Sequence, residues 1–307
     1  MITSPIWLPA TLAAGALQAW RTAIQRRVGK TLSVNAAGLV RYLYGLPFAF
    51  ALLALYHFAL SPGPLPGFGH LFLLFCAAAG LAQIIATNLL LMAFGERNFV
   101  VGTAYSKTEA VQSAVLSWLL LGEKLNPLAW LGIAAGVVGV MILSTGGKRT
   151  RARDFLSVLG QPAARYGIAS GFFFALTAIG VRRATMDVGT DDRILAALVV
   201  LATTVTLQTI LQGGYLLWRE PDQLRAVFRT WRISGQVGLL SSLGSACWFT
   251  GFATAPVALV RIVGQVEVAF TLAFAHFYLN ERLQRSEVMG LLLVATGVIL
   301  ALISASG

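Results

Sequence analysis

The chain has 307 residues, of which 57% are hydrophobic and only 11% are charged, and its formal net charge is +11. Because soluble domains carry about 25% charged residues, this composition excludes a soluble protein and indicates an integral membrane protein. Most basic residues lie in short connectors between apolar segments, so the charge does not predict nucleic-acid binding. Cys76 and Cys247 lie within apolar segments, and the three histidines lack metal-ligand spacing, so we expect no disulfide, metal or cofactor.

A membrane-spanning helix needs about 20 predominantly apolar residues. Ten segments meet this requirement; in chain order they are residues 5–27, 34–58, 69–94, 99–121, 127–145, 162–184, 193–218, 233–255, 257–279 and 286–305. Local signals agree with this division, since the proline-rich segment 61–69 separates spans 2 and 3, and Asn126 and Pro127 form a typical helix start for span 5. The sequence therefore predicts an all-α integral membrane protein with ten transmembrane helices.

The second half of the chain repeats the first. The segment 122–143, GEKLNPLAWLGIAAGVVGVMIL, aligns without a gap on the segment 280–301, NERLQRSEVMGLLLVATGVILA, and the same offset of 158 residues carries Glu109 onto Glu267. Since each half has an odd number of spans, the halves must lie in opposite orientations, as in the inverted repeats of secondary transporters. We expect residues 1–147 and 161–307 to form two five-helix repeats of one transmembrane domain, joined by a basic linker over 148–160.

The repeated segments carry a resemblance to a known family. Each has an acid, a basic residue and a leucine followed by two spaced glycines: GEKL with Gly132 and Gly139, and NERL with Gly290 and Gly297, while Arg41 near the start of span 2 adds to the likeness. The pattern resembles the drug/metabolite transporter superfamily, in particular its EamA-type ten-helix permeases. The resemblance implies a small-metabolite carrier, often an exporter, whose cavity is lined by spans 1, 3, 4, 6, 8 and 9. One departure is the sequence SKTEA in span 4, where many members have an apolar stretch that contains proline.

Two carboxylates lie in the middle of predicted spans, Glu109 in span 4 and Glu267 in span 9. A charged side chain in hydrocarbon is costly and normally faces a cavity, a proton path or a counter-charge. Lys107 is two residues from Glu109 and points away from it, so each needs a partner on another helix, or water. We predict that these groups, with Arg261, bind substrate or protons. The alternative is structural: Glu109 forms an ion pair with Arg21, Arg41 or Arg261. Arg261 is also the local candidate partner of Glu267.

Span 1 carries polar side chains on one helical face. Gln18, Arg21, Thr22 and Gln25 recur at i, i+3, i+4 and i+7. Such a stripe should face protein or water rather than lipid, so we predict that it lines the cavity; the alternative is that Arg21 and Gln25 reach the headgroups. Asn88 of span 3 is a further candidate for the substrate site, with hydrogen bonding between helices as its alternative.

Glu123 and Glu281 lie in short turns at span ends, and each is followed by a basic residue, Lys124 or Arg282. We interpret them as structural, through helix-end contacts, or as gate salt bridges with these basic neighbours. The glycine-rich faces of spans 5 and 10 suit either a contact within the chain or a dimer. The sequence is therefore compatible with a monomer and with a homodimer.

These features predict a secondary active transporter and not an enzyme, because the chain has no HExxH or GxSxG motif and no sizeable soluble domain. Acids and bases together favour a small polar or zwitterionic metabolite, such as an amino acid. A buried glutamate that titrates near neutral pH would couple its export to proton entry. The alternatives are an importer, or a carrier of a lipid-linked or anionic metabolite. A membrane enzyme and a non-transporting scaffold are the alternatives of other classes.

Charge also predicts the orientation of the chain. Of the 23 Lys and Arg residues, 15 lie in or beside the odd-numbered connectors, four lie in the even-numbered ones and four lie within spans. The positive-inside rule then places the odd connectors in the cytoplasm and both termini outside, in the plasma (inner) membrane. Related ten-helix permeases are usually drawn with cytoplasmic termini, which conflicts with this distribution. We expect membrane lipid and a small-molecule substrate as partners.

Overall fold

The structure is a computed structural model, and it describes residues 4–29, 31–64, 66–95, 105–144, 162–270 and 285–306, with residues 2 and 273. In the first half the described helices are α1 (Trp7–Val28), α2 (Val34–Leu43), α3 (Leu46–Ala59), α4 (Phe72–Gly95), α5 (Glu109–Leu121) and α6 (Pro127–Ser144). In the second half they are α7 (Pro162–Met186), α8 (Arg193–Arg219), α9 (Pro221–Arg229), α10 (Trp231–Thr254), α11 (Val257–Gly264) and α12 (Arg285–Ser306). Two short strands, β1 (Gly67–Phe68) and β2 (Val188–Gly189), lie outside the helices.

Several helices are long and apolar enough to cross a bilayer. Four stretches of the described residues have 22 to 27 residues and a mean hydropathy between 1.3 and 2.2: Val34–Ala59, Phe72–Ala93, Pro162–Met186 and Arg193–Arg219. Shorter apolar helices cover Glu109–Leu121, Pro127–Ile142 and Val288–Ser304. Large apolar side chains such as Leu119, Ile210 and Leu292 are exposed on these helices, as contact with lipid requires. The chain is a helical multi-pass membrane protein.

Most predicted span boundaries agree with the described helices to within a few residues. Span 2 is divided at Tyr44 and Gly45 into α2 and α3. The prediction of continuous helices over 99–121 and 257–279 is wrong within the described residues, because α5 begins only at Glu109 and α11 already ends at Gly264. The short helix α9 lies in the connector after span 7, where none was predicted.

Helix ends follow local side-chain and backbone chemistry. The Ser33 hydroxyl accepts a hydrogen bond from the Ala36 N–H at the start of α2, and the Asp192 carboxylate accepts two from the first turn of α8. These caps satisfy backbone donors that have no partner inside the helix. α5 ends at Gly122, whose φ of 67° is a left-handed conformation that favours glycine. Spans therefore end where the sequence supplies a capping residue, proline or glycine.

The two halves are interleaved. α1 of the first half packs on α10 and α11 of the second, and α7 of the second half packs on α4 and α5 of the first. α6 and α12 also pack together. A Cβ on Gly132 would lie 2.8 Å from the Gly297 carbonyl oxygen, and a Cβ on Gly139 would lie 2.7 Å from that of Gly290. Since the contact moves back along α12 as it moves forward along α6, the two helices are antiparallel. The glycine faces that suited a dimer thus contact each other within the chain.

Three short elements lie in the connectors between spans, namely the strands β1 and β2 and the helix α9. β1, after α3, pairs antiparallel with β2, after α7, with Phe68 opposite Val188. α9 lies between Trp218 and Trp231, whose side chains are both exposed. The guanidinium of Arg219 lies 4.1 Å from the centre of the Trp218 ring. Tryptophan and arginine at span ends are typical of the membrane–water interface.

Candidate functional site

Both candidate carboxylates directly follow a break in a helix. Residues 107–108 form a turn after a short helical stretch, and α5 begins at Glu109. Residues 265–266 form the equivalent turn after α11, and the chain is helical again from Glu267. The two turns are related by the 158-residue repeat offset. Discontinuous helices of this kind build the binding sites of many secondary transporters.

The backbone hydrogen bonds of the two breaks also match. The Thr108 N–H donates to the Tyr105 carbonyl at 3.2 Å, and the Val266 N–H donates to the Val263 carbonyl at 3.1 Å. Both are i to i+3 bonds of the 3₁₀ type, and each residue of the first bond is 158 positions before its equivalent in the second. A mid-helix 3₁₀ turn often marks a hinge. Gly264 ends α11 directly before the second turn, but the first turn has neither proline nor glycine, so the sequence did not predict the matching pair of breaks.

Two glycines of the opposite halves fit closely against these breaks. A Cβ on Gly171 of α7 would lie 2.9 Å from the Ser106 carbonyl oxygen and 3.2 Å from the Glu109 nitrogen. A Cβ on Gly15 of α1 would lie 3.3 Å from the Glu267 nitrogen. The first helix of each half therefore supports the broken span of the other half. Gly15 and Gly171 recur near the start of the two halves at an offset of 156 residues, but the sequence did not indicate their role.

The breaks face a cavity of about 150 Å³ between the two halves. Of the nine residues that the sequence predicted for the cavity or the substrate site, seven line it: Gln18, Arg21, Thr22, Lys107, Glu109, Arg261 and Glu267. Gln25 instead donates from Nε2 to the Ala37 carbonyl at 3.0 Å. Aromatic side chains and further polar groups complete the wall, among them Phe174, Trp248, Phe249, Phe252, Arg41, Gln83, Ser241 and Ser245. In the described ranges, no group of three or more His, Cys, Asp or Glu side chains is placed to hold a metal ion.

One ion pair crosses the cavity from the first half to the second. Lys107 Nζ lies 2.6 Å from Glu267 Oε2, and the two side chains are only 12% and 11% exposed. Gln18 Nε2 donates to the same carboxylate oxygen at 2.8 Å, and Gln18 Oε1 accepts a hydrogen bond from Trp248 Nε1 at 3.0 Å. This network joins α1, α10 and the two broken spans, so a change in charge at Glu267 reaches all of them.

A second ion pair also joins the two halves across the cavity, but its cation lies in the second half and its carboxylate in the first. Arg261 Nη1, in the second half, donates to Glu109 Oε1 in the first half at 3.1 Å. Arg261 Nη2 donates to the Phe174 carbonyl at 3.0 Å, and its guanidinium lies 5.1 Å from the centre of the Trp248 ring and 4.9 Å from that of Phe252. Of the partners that the sequence offered, Arg261 therefore contacts Glu109, while the described contacts of Glu267 include Lys107 and Gln18.

Two more arginines line the cavity. Arg21 and Arg41 are buried, with 6% and 5% of their surface exposed. Arg41 Nη1 donates to Thr87 Oγ1 at 2.6 Å. The Nε atoms of both arginines are buried without a hydrogen-bond partner, and neither arginine forms an ion pair among the described residues. The sequence indicated Arg41 only as part of the family likeness and as a candidate partner of Glu109, although an arginine within an apolar span by itself indicates a polar site.

Asn88 does not line the cavity. Its Nδ2 donates to Asn35 Oδ1 at 2.9 Å, and its Oδ1 accepts a hydrogen bond from Gln212 Nε2 at 3.3 Å. These contacts join α4 to α2 and α8. Asn88 thus makes hydrogen bonds between helices, which was the alternative to a place in the substrate site.

Glu123 holds the turn between α10 and α11. Its Oε2 accepts a hydrogen bond from the Val257 N–H at 3.0 Å, and its Oε1 lies 3.6 Å from Arg182 Nε. Arg182 Nη1 donates to the Phe252 and Ala253 carbonyls at 2.8 and 2.7 Å. The acid lies at the start of α11 and the base at the end of α10, which is the arrangement that helix dipoles favour.

Of the two interpretations of Glu123, the described contacts support the helix-end contact and not the salt bridge with Lys124, because Lys124 is exposed and the carboxylate turns toward Arg182 on α7. Burial raises the pKa of the Glu123 carboxyl, and the charge of Arg182 and the hydrogen bond from Val257 oppose this rise. A raised pKa means that the folded state binds the proton more tightly, so this group's contribution to stability falls as the pH rises above its ordinary pKa of 4.5. Glu281 and Arg282 lie outside the described residues.

The fold and the site together define a helical membrane protein with a buried, charged cavity at its centre. The chain belongs to the EamA-like transporter family, which matches residues 5–145 and again residues 161–303, once in each half. It is accordingly a transporter of the drug/metabolite type, and the family is one of transporters rather than of enzymes. A crystal structure described only as that of a protein is similar over 97% of this chain and 98% of its own, with a TM-score of 0.70 and 15% identity, which shows a shared fold. No curated protein matches the chain significantly.

Proposed function

We propose that this chain is a proton-coupled secondary active transporter that carries a small polar metabolite through the central cavity by alternating access. The observation that carries the proposal is the pair of contacts Lys107–Glu267 and Arg261–Glu109, because each joins one half of the chain to the other. Charged groups inside a membrane bundle are costly, and they commonly mark substrate pathways and proton relays.

The architecture that we propose for this transport is ten transmembrane helices in two inverted repeats, residues 1–147 and 161–307, with a linker over 148–160. The repeat offset of 158 supports it, because it converts the contact of Gly132 with Gly297 into that of Gly290 with Gly139. A two-fold axis that exchanges two antiparallel helices is perpendicular to them, and so lies in the plane of the membrane. Inverted repeats of this kind allow one half to rock against the other around a fixed site.

The two ion pairs can couple the movement of the two halves to the binding of protons and substrate. Separating the halves parts Lys107 from Glu267, or Arg261 from Glu109, unless a new partner replaces the lost one. A proton on either carboxylate removes its attraction to the cation, and an anionic group of the substrate can take the carboxylate's place. Because both events bias the same conformational equilibrium, a proton gradient can drive substrate movement.

The substrate class follows from the charges of the cavity. The sequence favoured an exported zwitterion, with an imported or an anionic metabolite as alternatives. Both cavity carboxylates already contact cations, whereas Arg21 and Arg41 have no ion pair among the described residues. This excess of positive charge favours the anionic alternative over the zwitterion. Export is the direction that we propose, and the experiment below measures both directions.

The proposal is tested by expressing the protein in bacterial cells that lack their own metabolite exporters and comparing metabolites in medium and cytoplasm. We expect a few polar compounds to accumulate in the medium only with the wild-type protein. Glu109→Gln should reduce their efflux by about tenfold or more, since each factor of ten corresponds to only about 1.4 kcal/mol. Arg225→Gln, at an exposed ion pair on α9, is the matched control and should export normally.

Depletion of a compound from the medium would show import instead of export. An unchanged metabolite profile, with the protein present in the membrane by immunoblot, would contradict transport of a small metabolite. Wild-type efflux by both Glu109→Gln and Glu267→Gln would contradict proton coupling through these carboxylates.

We propose further that the protein lies in the plasma (inner) membrane with both termini outside. α9 belongs to an odd-numbered connector, and Arg219, Arg225, Arg229 and Arg232 lie on it or beside it. The positive-inside rule favours the cytoplasm for such a segment. A cysteine introduced at Arg225 should react with an impermeant thiol reagent in inside-out vesicles and not in intact cells. Labelling in intact cells would show the opposite orientation, with both termini in the cytoplasm.

A further inference from the structure

The cavity gathers every charged residue that lies in the interior of a predicted span. The four Lys and Arg residues within spans are Arg21, Arg41, Lys107 and Arg261, and all of them line the cavity. The only two acids in the interior of spans, Glu109 and Glu267, line it as well. All other acidic residues of the sequence fall in connectors or at the ends of spans. Among the described residues, the cavity is thus lined by four cations and two carboxylates.

The two ion pairs use both carboxylates and leave two cations over. Glu267 Oε2 accepts hydrogen bonds from Lys107 and Gln18, and Glu109 Oε1 accepts one from Arg261. Arg21 and Arg41 line the same cavity as these two ion pairs. Neither arginine has a carboxylate partner among the described residues, so the cavity is lined by two cations that the ion pairs do not use.

Uncompensated charge in this position has a physical consequence. A buried cation without a counter-ion is strongly unfavourable in an apolar surrounding. Both guanidiniums are more than nine-tenths buried, and their Nε atoms have no hydrogen-bond partner. A planar guanidinium binds carboxylate or phosphate oxygens through two parallel N–H donors, a geometry that lysine cannot provide. A bound anion would supply the missing charge and the missing acceptors together.

We propose that Arg21 and Arg41 form an anion subsite that binds the carboxylate or phosphate group of a net-negative substrate. The subsite deepens the proposed function and rests on it for transport, but its binding can be measured without transport. Gln83, Ser241 and Ser245 line the cavity with these arginines and can donate further hydrogen bonds. Trp248, Phe249 and Phe252 give the same cavity an apolar wall. Since Glu109 and Glu267 already contact cations, a substrate ammonium would have to displace one of these, so a zwitterion binds more weakly than an anion of similar size.

Binding is tested with the full-length protein in detergent by thermal unfolding at constant ionic strength. The probes are succinate, inorganic phosphate and glycine, so that a carboxylate, a phosphate and a zwitterion are compared. We expect a saturable rise in Tm with succinate or phosphate, and the stronger of the two identifies the group that the subsite takes. Glycine should have little effect. Arg21→Gln and Arg41→Gln should each weaken the anion effect about tenfold or more, as loss of a charge-assisted hydrogen bond predicts. Arg225→Gln, on the surface helix α9, should respond as wild type does.

A second variant keeps the test independent of the folding of the arginine variants. Ser245 lines the cavity with both arginines, and Ser245→Asp supplies an internal counter-charge without altering them. It should fold and lose the response to succinate and phosphate. An anion response that persists in Ser245→Asp, or an equal response of wild type to glycine, would overturn the subsite. Anion binding without flux in cells would overturn only the transport proposal, and flux of zwitterions without any anion effect would overturn only the subsite.

Discussion

Gly139→Leu should prevent stable folding, whereas Gly214→Leu should leave the protein folded. A Cβ on Gly139 would lie 2.7 Å from the Gly290 carbonyl oxygen and 2.8 Å from the Val294 nitrogen, and these are backbone atoms that cannot rotate away. The antiparallel helices α6 and α12 would have to separate along their length. Overpacking a well-packed interior typically costs about 1–3 kcal/mol for small insertions, and a leucine against backbone exceeds that range.

The control uses the same substitution in another transmembrane helix. Gly214 lies on the exposed face of α8, and nothing lies within 4 Å of a Cβ placed there. A leucine at this position adds apolar surface toward lipid and improves helix propensity. Thermal stability measured by fluorescence-detected size exclusion compares the two variants directly. Equal stability of Gly139→Leu and Gly214→Leu would mean that α6 and α12 do not cross at this distance.

The span positions could be predicted because apolar length and capping residues are local properties. Pro127 and Pro162 begin α6 and α7 where the sequence placed them, and the repeat identified the glycines that later prove to face each other. The breaks before Glu109 and Glu267 could not be predicted. They depend on α7 and α1 approaching through Gly171 and Gly15, which is a contact between halves that no local pattern records.

The members of the cavity could also be predicted, but their partners could not. A charged residue in an apolar span must face a polar interior, so Lys107, Glu109, Arg261 and Glu267 were predictable as a group. Which cation meets which carboxylate depends on the interleaving of the halves. Arg261 is six residues from Glu267, yet it contacts Glu109. Asn88 was wrongly predicted for the substrate site, because polarity alone does not distinguish a residue that lines the cavity from one that makes hydrogen bonds between helices.

Changes to Lys107 and Glu267 should have strongly non-additive effects on the free energy of unfolding, and transport should require both residues. Glu267→Gln leaves a buried ammonium without its counter-charge, and Lys107→Met leaves a buried carboxylate. Each single change should cost roughly 3–5 kcal/mol, as breaking a buried pair does elsewhere. The double variant removes both charges and should recover most of that loss. A double-mutant cycle on thermal or denaturant unfolding then gives a large favourable coupling energy.

The exposed pair of Arg225 with Asp222 is the matched control for this cycle. Its atoms lie 2.9 Å apart, but the side chains are 74% and 89% exposed, so solvent screening should leave a coupling energy near zero. Transport separates structure from mechanism, because the double variant at Lys107 and Glu267 should be stable and still fail to couple flux to a proton gradient. A double variant that transports as wild type does would make the pair purely structural. A coupling energy near zero at the buried pair would mean that it does not form in the folded protein, and the proposed coupling between the halves would lose one of its two ion pairs.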